Sequence, residues 1–369
     1  MIKVILFFLL TFALIAENQA SDPPIVEDNG TIHVPAHKLP ESSYLSAETR
    51  AILKAQRNIK HKQTCPPNVG ADKAEMPKIR QCRAKAFYET PVYKNMRARH
   101  SVSIKSKVID GVYIEEFIPD RGIATKNQHR VLINLHSGAY MHGSRTSSQM
   151  ESIPIASVGK IKVISIDYRM GPEYIYPAAS EDVATVYRAL LKHYKPENIG
   201  IYGSSGGGML VAQSMAWFQN EGLPQPAAIG LFFSGAPTAL DNENYKWTTS
   251  ETGYMTEALL GVDWESLFGA PHSYFKGIKR GSRLDSPGSY DEIMAKFPPT
   301  LLINGGARDF SLSMVVVTHA QLVRLGIEAN LHIWEGMRHC FNTNPDLQES
   351  QESYDVIVKF FDSHLGKKL

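Results

Sequence analysis

Asn198-Ile199-Gly200-Ile201-Tyr202-Gly203-Ser204-Ser205-Gly206-Gly207 is the stretch that decides the fold of this 369-residue chain. The apolar run predicts a strand, the glycines and serines predict a sharp turn, and residues 209–220 predict a helix. The turn carries the spacing G-x-S-x-G around Ser205. Small residues on either side let the backbone take a strained conformation that pushes the serine hydroxyl outward. A serine so presented is a candidate nucleophile. It then needs a base, a carboxylate behind the base, and backbone donors for an oxyanion.

The pattern around this turn repeats along the chain. Residues 131–135, 162–166, 228–233, 300–303 and 329–333 read as strands, and 180–194 and 313–325 as helices. Upstream, 102–109 and 112–118 alternate around Asp110-Gly111, the composition of a tight hairpin. Antiparallel strands followed by strand–helix alternation predict an α/β fold, with a mostly parallel central sheet and helices on both faces. Such sheets place their sites beyond the carboxyl ends of the strands, which is where Ser205 falls.

The missing partners follow in order. Asp309 ends Gly305-Gly306-Ala307-Arg308-Asp309, just after strand 300–303, and His339 lies in Gly336-Met337-Arg338-His339-Cys340-Phe341, just after strand 329–333. A histidine there can take the serine proton, and an aspartate can hold its tautomer and stabilise the imidazolium. Glu335 is the rival acid, but it is too close to His339 in sequence to sit on a separate strand loop. Strand 131–135 runs into His136-Ser137-Gly138-Ala139-Tyr140, whose small residues let backbone amides approach a carbonyl oxygen. The amides of Ser137 and Gly138, with that of Gly206, are the expected oxyanion donors. His136 braces this loop by hydrogen bonding. His142, the rival base, is a loop-surface residue or a substrate contact. Cys340 has no elbow and no base of its own, so it reads as a small packing residue.

Three motifs in register resemble the hormone-sensitive-lipase branch of the α/β-hydrolase fold. Its H-G-G-G-aromatic element stands here as His136-Ser137-Gly138-Ala139-Tyr140, and its G-[DT]-S-A-G elbow as Gly203-Ser204-Ser205-Gly206-Gly207. Its Y-R-L-A-P-E and F-P-A stretches stand as Tyr168-Arg169-Met170-Gly171-Pro172-Glu173 and Tyr176-Pro177-Ala178. The likeness runs from about residue 101 to the C-terminus. It implies an α/β-hydrolase with the order Ser, Asp, His, an N-terminal helical cap, and esterase activity on a small-molecule ester. It also implies that Asp167 and Glu173 are structural residues around the site. Ser137, Ala139, Ser204 and Gly206 depart from the family pattern, which bears on catalytic power and substrate range.

The expected activity is hydrolysis of short to medium acyl esters through an acyl-serine. This chemistry calls for neither a metal nor an organic cofactor. The same machinery also suits an amidase or a deacetylase, and the same fold serves as a non-catalytic small-molecule receptor. A net charge of +2 with no Lys/Arg block argues against a nucleic-acid partner.

Lys3, the apolar run 4–16 and the small residues before Ser21 describe a secretory signal peptide cut after Ala20. The alternative, an uncleaved anchor, would need roughly 20 apolar residues. The expected organisation is a signal at 1–20, a lead-in and helical cap at 21–100, and a catalytic domain at 101–369 with an insertion at about 236–298. The cap carries helical patterns at 47–56, behind a Ser46 cap, and at 76–87. The insertion, with Trp247, Trp264, Phe268 and Tyr274, is either a lid or pocket wall or a surface excursion. The mature protein is expected outside the cytoplasm (secreted, periplasmic or in a secretory lumen) without lasting membrane insertion. Cys65 and Cys82 are either a disulfide or two thiols.

Overall fold

Asp110 and Gly111 take left-handed φ values of +46° and +88°, and the strands they join, β3 (Val102–Ile109) and β4 (Val112–Pro119), pair antiparallel. Two such residues give a hairpin turn the same twist as its strands. The computed structural model to which these strands belong describes residues 23–33, 38, 40–57, 65–66, 71–238, 274–279 and 281–367. The signal segment and Trp247, Trp264 and Phe268 lie outside the described residues. Two compact units divide the chain, Met1–Ser42 and Ser43–Leu369. The described part of the first holds one small antiparallel pair, β1 (Ile25–Val26) and β2 (Ile32–His33).

The second unit is built on an eight-stranded sheet. After the hairpin come β5 (Val131–Leu135), β6 (Lys162–Ile166), β7 (Ile199–Ser204), β8 (Ala228–Phe232), β9 (Thr300–Asn304) and β10 (Ala329–Ile333). Their order is β10-β9-β8-β7-β5-β6-β4-β3, parallel except where β4 meets β3 and β6. β5 therefore lies between β6 and β7, the point at which the chain reverses its direction across the sheet. Crevices for ligands open at such points, at the carboxyl ends of the strands.

Side chains alternate strictly between the faces. Ile133, Leu135, Ile201, Ile229 and Leu231 pack with α5 (Ala178–Leu191) and α6 (Gly206–Asn220). Leu132, Tyr202, Phe232, Leu301 and Ile303 pack on the other side with α4 (Ser147–Gly159) and α9 (Gln348–His364). Each such side chain contributes about 1.5–3 kcal/mol when fully buried. Among the described residues the remaining late helices are the single turn α7 (Asp291–Met294) and α8 (Leu312–Arg324). α4 has no amphipathic stripe because it is buried on all sides and carries Pro154 within it, so periodicity does not announce it. α9 is different: Tyr354, Ile357 and Phe361 sit at helical spacing, a signal that was there to be read.

Among the described residues three helices precede the hairpin: α1 (Ala47–Arg57), α2 (Met76–Tyr88) and α3 (Pro91–Arg99). The Ser46 hydroxyl accepts from the Thr49 amide at 3.1 Å, the expected N-cap of α1. The Thr49 hydroxyl and the Ser46 amide then both donate to Glu349 of α9. On α2, Arg80 donates through Nε to the Met141 carbonyl at 2.6 Å and through its guanidinium to Gly171 O and the Glu173 carboxylate. Cys65 and Cys82 form a disulfide, their Cα atoms 5.8 Å apart. Within the insertion the described chain resumes at Tyr274, which stacks on Tyr140 at 4.9 Å and takes the Ala179 amide on its hydroxyl.

α6 starts so close to β5 that a Cβ on Gly207 would lie 1.9 Å from Leu135 O and 2.5 Å from His136 O. Neither backbone oxygen belongs to a flexible group. Gly207→Ala should therefore lower unfolding stability by about 1–3 kcal/mol, as overpacking does. Denaturant titration monitored by circular dichroism checks this.

Candidate active site

Ser205 closes β7 and caps α6 with φ +54° and ψ −124°. Few residues with a Cβ adopt that conformation, and holding one there costs about 1–3 kcal/mol. The Ser205 amide is anchored to Phe232 O of β8 at 2.8 Å. Gly203 and Gly207 allow the turn: a Cβ on Gly203 would lie 2.5 Å from the backbone of Gly207. The hydroxyl thus stands clear of the sheet's carboxyl edge.

The loops after β9 and β10 bring two further groups to it. His339 Nε2 lies 2.8 Å from Ser205 Oγ, and His339 Nδ1 lies 2.8 Å from Asp309 Oδ1. With Nδ1 protonated toward the aspartate, Nε2 is the free acceptor for the serine proton. Phe310 packs on the imidazole at 4.2 Å. Asp309 is completely buried and meets only donors: Ser311 gives its amide (3.0 Å) and hydroxyl (2.8 Å) to Oδ1, while Asn304 Nδ2 (3.0 Å) and the Gly305 amide (3.3 Å) reach Oδ2. Burial pushes its carboxyl up, but His339 and the Ser311 bonds outweigh burial and hold it below the usual value. For His339, burial favours the neutral ring, and the Cys340 sulfur and Asp309 carboxylate overcome it and raise its pKa. The Cys340 thiol is itself pushed up by burial, hence uncharged at neutral pH, so the lasting part of that rise comes from Asp309.

The oxyanion loop needs one correction. The Ser137 amide is already committed: it donates to Glu151 Oε1 at 3.0 Å, inside the protein. The next two residues turn the chain outward, Gly138 at φ +118° and Ala139 at φ +52°. A Cβ on Gly206 would lie 3.0 Å from Ala139 N, so Ala139 rather than Ser137 faces the start of α6 beside Gly138. The amides of Gly138, Ala139 and Gly206 have no acceptor among the described residues. Ala139 was not among the expected donors, and its small side chain tolerates the left-handed turn.

Other candidates resolve plainly. Glu335 accepts the Ala307 amide at 3.1 Å, and Asp309 takes the imidazole. His136 is buried, stacks on Tyr168 at 4.2 Å and places Nδ1 2.9 Å from Ser137 O, bracing the loop. His142 is half-buried, with Nε2 3.4 Å from Arg83; burial, Arg83 and Arg80 hold its pKa down at about 3. It lines a cavity of about 440 Å³ together with Ser137, Phe87, Val92, Met150 and Cys340. Asp167 pairs with Arg145 at 2.8 Å and Glu173 pairs with Arg80, both away from the proton relay. Asn304, Ser311 and Glu151 were not foreseen, since no spacing marks a residue that supports another through a fold-dependent contact. Among the described residues no group of His, Cys, Asp or Glu could hold a metal ion, and no helix is long and apolar enough to cross a membrane.

A family described as having the alpha/beta hydrolase fold matches residues 132–343, more than half of the chain. The chain belongs to the alpha/beta hydrolase fold family. This hydrolase is 27% identical over 242 residues to an acetyl-hydrolase of Streptomyces hygroscopicus, covering 65% of this chain and 78% of that protein. It is 26% identical over 263 residues to an esterase of Acinetobacter venetianus, covering 70% and 82%. An esterase crystal structure superimposes with a TM-score of 0.71 at 26% identity, covering 90% of this chain and 98% of the other. A structure of an esterase from the bacterial hormone-sensitive lipase family aligns with a TM-score of 0.69 over 89% of the chain at 24% identity, a likeness of fold. The resemblance read in the sequence is borne out, as is the reading of this hydrolase as an ester hydrolase.

Removing the Asp309 charge removes what favours the imidazolium. Asp309→Asn should therefore lower the His339 pKa, which NMR titration of the ring protons checks.

Proposed function

We propose that this hydrolase is an exported serine carboxylic-ester hydrolase acting on short to medium acyl esters through an acyl-serine intermediate. One observation carries the reading: a serine at a strained strand–helix turn, its hydroxyl 2.8 Å from an imidazole that is itself 2.8 Å from a buried carboxylate. In the first half-reaction Ser205 Oγ attacks the ester carbonyl as His339 Nε2 takes its proton. Asp309 holds the imidazole and balances its charge. The amides of Gly138, Ala139 and Gly206 bind the oxyanion. The imidazolium then protonates the alcohol as it leaves. In the second half, His339 deprotonates a water that attacks the acyl-serine, and the acid departs as Oγ recovers its proton.

The cavity of about 440 Å³ adjoins the site through Ser137 and Cys340, the chain neighbours of Gly138 and His339, while Ser205 and His339 are not among its lining residues. It lies in the range of small-molecule sites and joins apolar walls to the loop that carries the oxyanion amides. α2 and α3 supply Phe87, Arg83 and Val92 to that cavity, the part expected of a helical cap. Export is supported by the Lys3-led apolar segment and by the Cys65–Cys82 disulfide, a bond that persists in oxidising compartments.

Hydrolysis of p-nitrophenyl esters from acetate to laurate tests the activity, with its maximum expected at the short to medium chains. Ser205→Ala should remove turnover, and with it labelling by a serine-directed phosphonate, while circular dichroism stays unchanged. Labelling without turnover on any ester would move the reading to amides. Neither labelling nor turnover in the folded protein would leave a receptor. Protein recovered from a secreting host should begin at Ser21, as N-terminal sequencing would show.

Protonation of His339 removes the general base, so kcat/KM should fall as pH drops through its pKa. Because Asp309 raises that pKa, the fall should begin above the usual histidine range, and Asp309→Asn should move it to lower pH while reducing kcat by about 10⁴.

A further inference from the structure

Glu151 lies on α4 and is almost fully buried beneath the oxyanion loop. Its Oε1 accepts the Ser137 amide at 3.0 Å, and its Oε2 accepts Asn134 Nδ2 of β5 at 3.0 Å. Asn134 is fixed in turn by Ser165 of β6, whose hydroxyl donates to Asn134 Oδ1 at 2.8 Å. The carbonyl of Glu151 takes the Tyr202 hydroxyl of β7 at 3.1 Å. One residue thus ties the loop to three neighbouring strands. A carboxylate buried this way is costly, and an apolar side chain would fill the same space at less expense. The proton relay of Ser205, His339 and Asp309 makes no use of it.

The loop it holds needs holding. Gly138, Ala139 and Tyr140 have φ values of +118°, +52° and +60° in succession, and two of the three carry a Cβ. The far end is pinned by Tyr140, which donates to Gln213 at 2.9 Å and stacks on Tyr274. The near end is pinned at the Ser137 amide.

We propose that Glu151 is a positioning residue for ester hydrolysis, whose ionised carboxylate holds Ser137 so that the Gly138 and Ala139 amides face the reacting carbonyl. This rests on the function proposed above. Ser137 N–H and Asn134 NH₂ are both donors, which an ionised carboxylate meets with two full acceptor oxygens, and a proton on either oxygen weakens that oxygen as an acceptor. Burial pushes the Glu151 carboxyl up, bonds from Asn134 and Ser137 pull it back, and it settles at about 7. The titratable groups facing it are Tyr202 from β7, Tyr168 from the segment after β6 and Cys340 from the loop after β10. Burial raises the pKa of all three, leaving each uncharged at neutral pH. Glu151 is therefore the group in this cluster that changes charge in the neutral range. Its carboxylate is present above that pKa, and its hold on the loop is lost as pH falls through it.

Glu151→Leu and Glu151→Gln, assayed beside the native protein and Ser205→Ala, test this. Glu151→Leu should lower kcat by about 10²-fold, the scale of a lost oxyanion donor, with KM changed less than about threefold. Glu151→Gln keeps one acceptor for Ser137, and Asn134 can turn its amide to meet the other end if the Ser165 hydroxyl rotates from donor to acceptor, so kcat should stay within about tenfold of native. The acid limb of kcat/KM should reflect two protonations in the native protein, at His339 and Glu151, and one in Glu151→Gln. A Glu151→Gln profile that keeps both protonations overturns the proposal. So does a Glu151→Leu protein with native kcat and only a lower melting temperature. If Glu151→Leu does not fold, the Glu151→Gln profile decides alone. Absence of Ser205-dependent turnover in the native protein would overturn the proposed function itself, and that comparison is read before any Glu151 variant.

Discussion

The backbone of Ser205, held at φ +54° between a central strand and the helix that follows, is the constraint on which the site depends. It excludes side chains at Gly203 and Gly207, because the turn brings α6 onto the carbonyls of Leu135 and His136. It also explains the sheet's middle: β7 is flanked by β5 and β8, and the amide of Ser205 is anchored to β8. A strained residue persists only where its surroundings over-determine it. Two packed faces of alternating apolar side chains supply that rigidity.

Charge inside the site is managed by choosing the partners of each buried group. Asp309 and Glu151 meet hydrogen-bond donors, which favours the ionised form of both against the pull of burial. The outcomes differ: Asp309 falls below its ordinary value because His339 adds to its donors, whereas Glu151 remains raised. The histidines divide in the same way. Burial keeps His136 and His142 neutral, and the arginines beside His142 push it further down. His339 alone among these three has a carboxylate behind it, so it is the one equipped to gain and lose a proton.

The helices before the sheet are joined to the site by specific polar contacts. Arg80 of α2 grips Met141 O, Gly171 O and Glu173, so one side chain connects the loop after β5 with the loop after β6. Glu173 is the counter-charge of Arg80. The Cys65–Cys82 bond adds a covalent tie to the same helix.

Local chemistry made much of this legible. Strand alternation, the Asp110-Gly111 hairpin, the Ser46 cap and the G-x-S-x-G turn each depend on residues within a few positions of one another. The order of Ser205, Asp309 and His339 after successive strands is legible too, because a parallel sheet delivers the ends of its strands to one edge. The sequence by itself therefore determined the fold class and which three side chains would meet. Only the tertiary structure decided which amides of the loop after β5 already have an acceptor. The partner of the Ser137 amide lies 14 residues away on α4, a helix buried all round and without a stripe. Which amides remain for an oxyanion is a matter of hydrogen-bond competition in a packed interior, and that competition is settled by contacts no local pattern encodes.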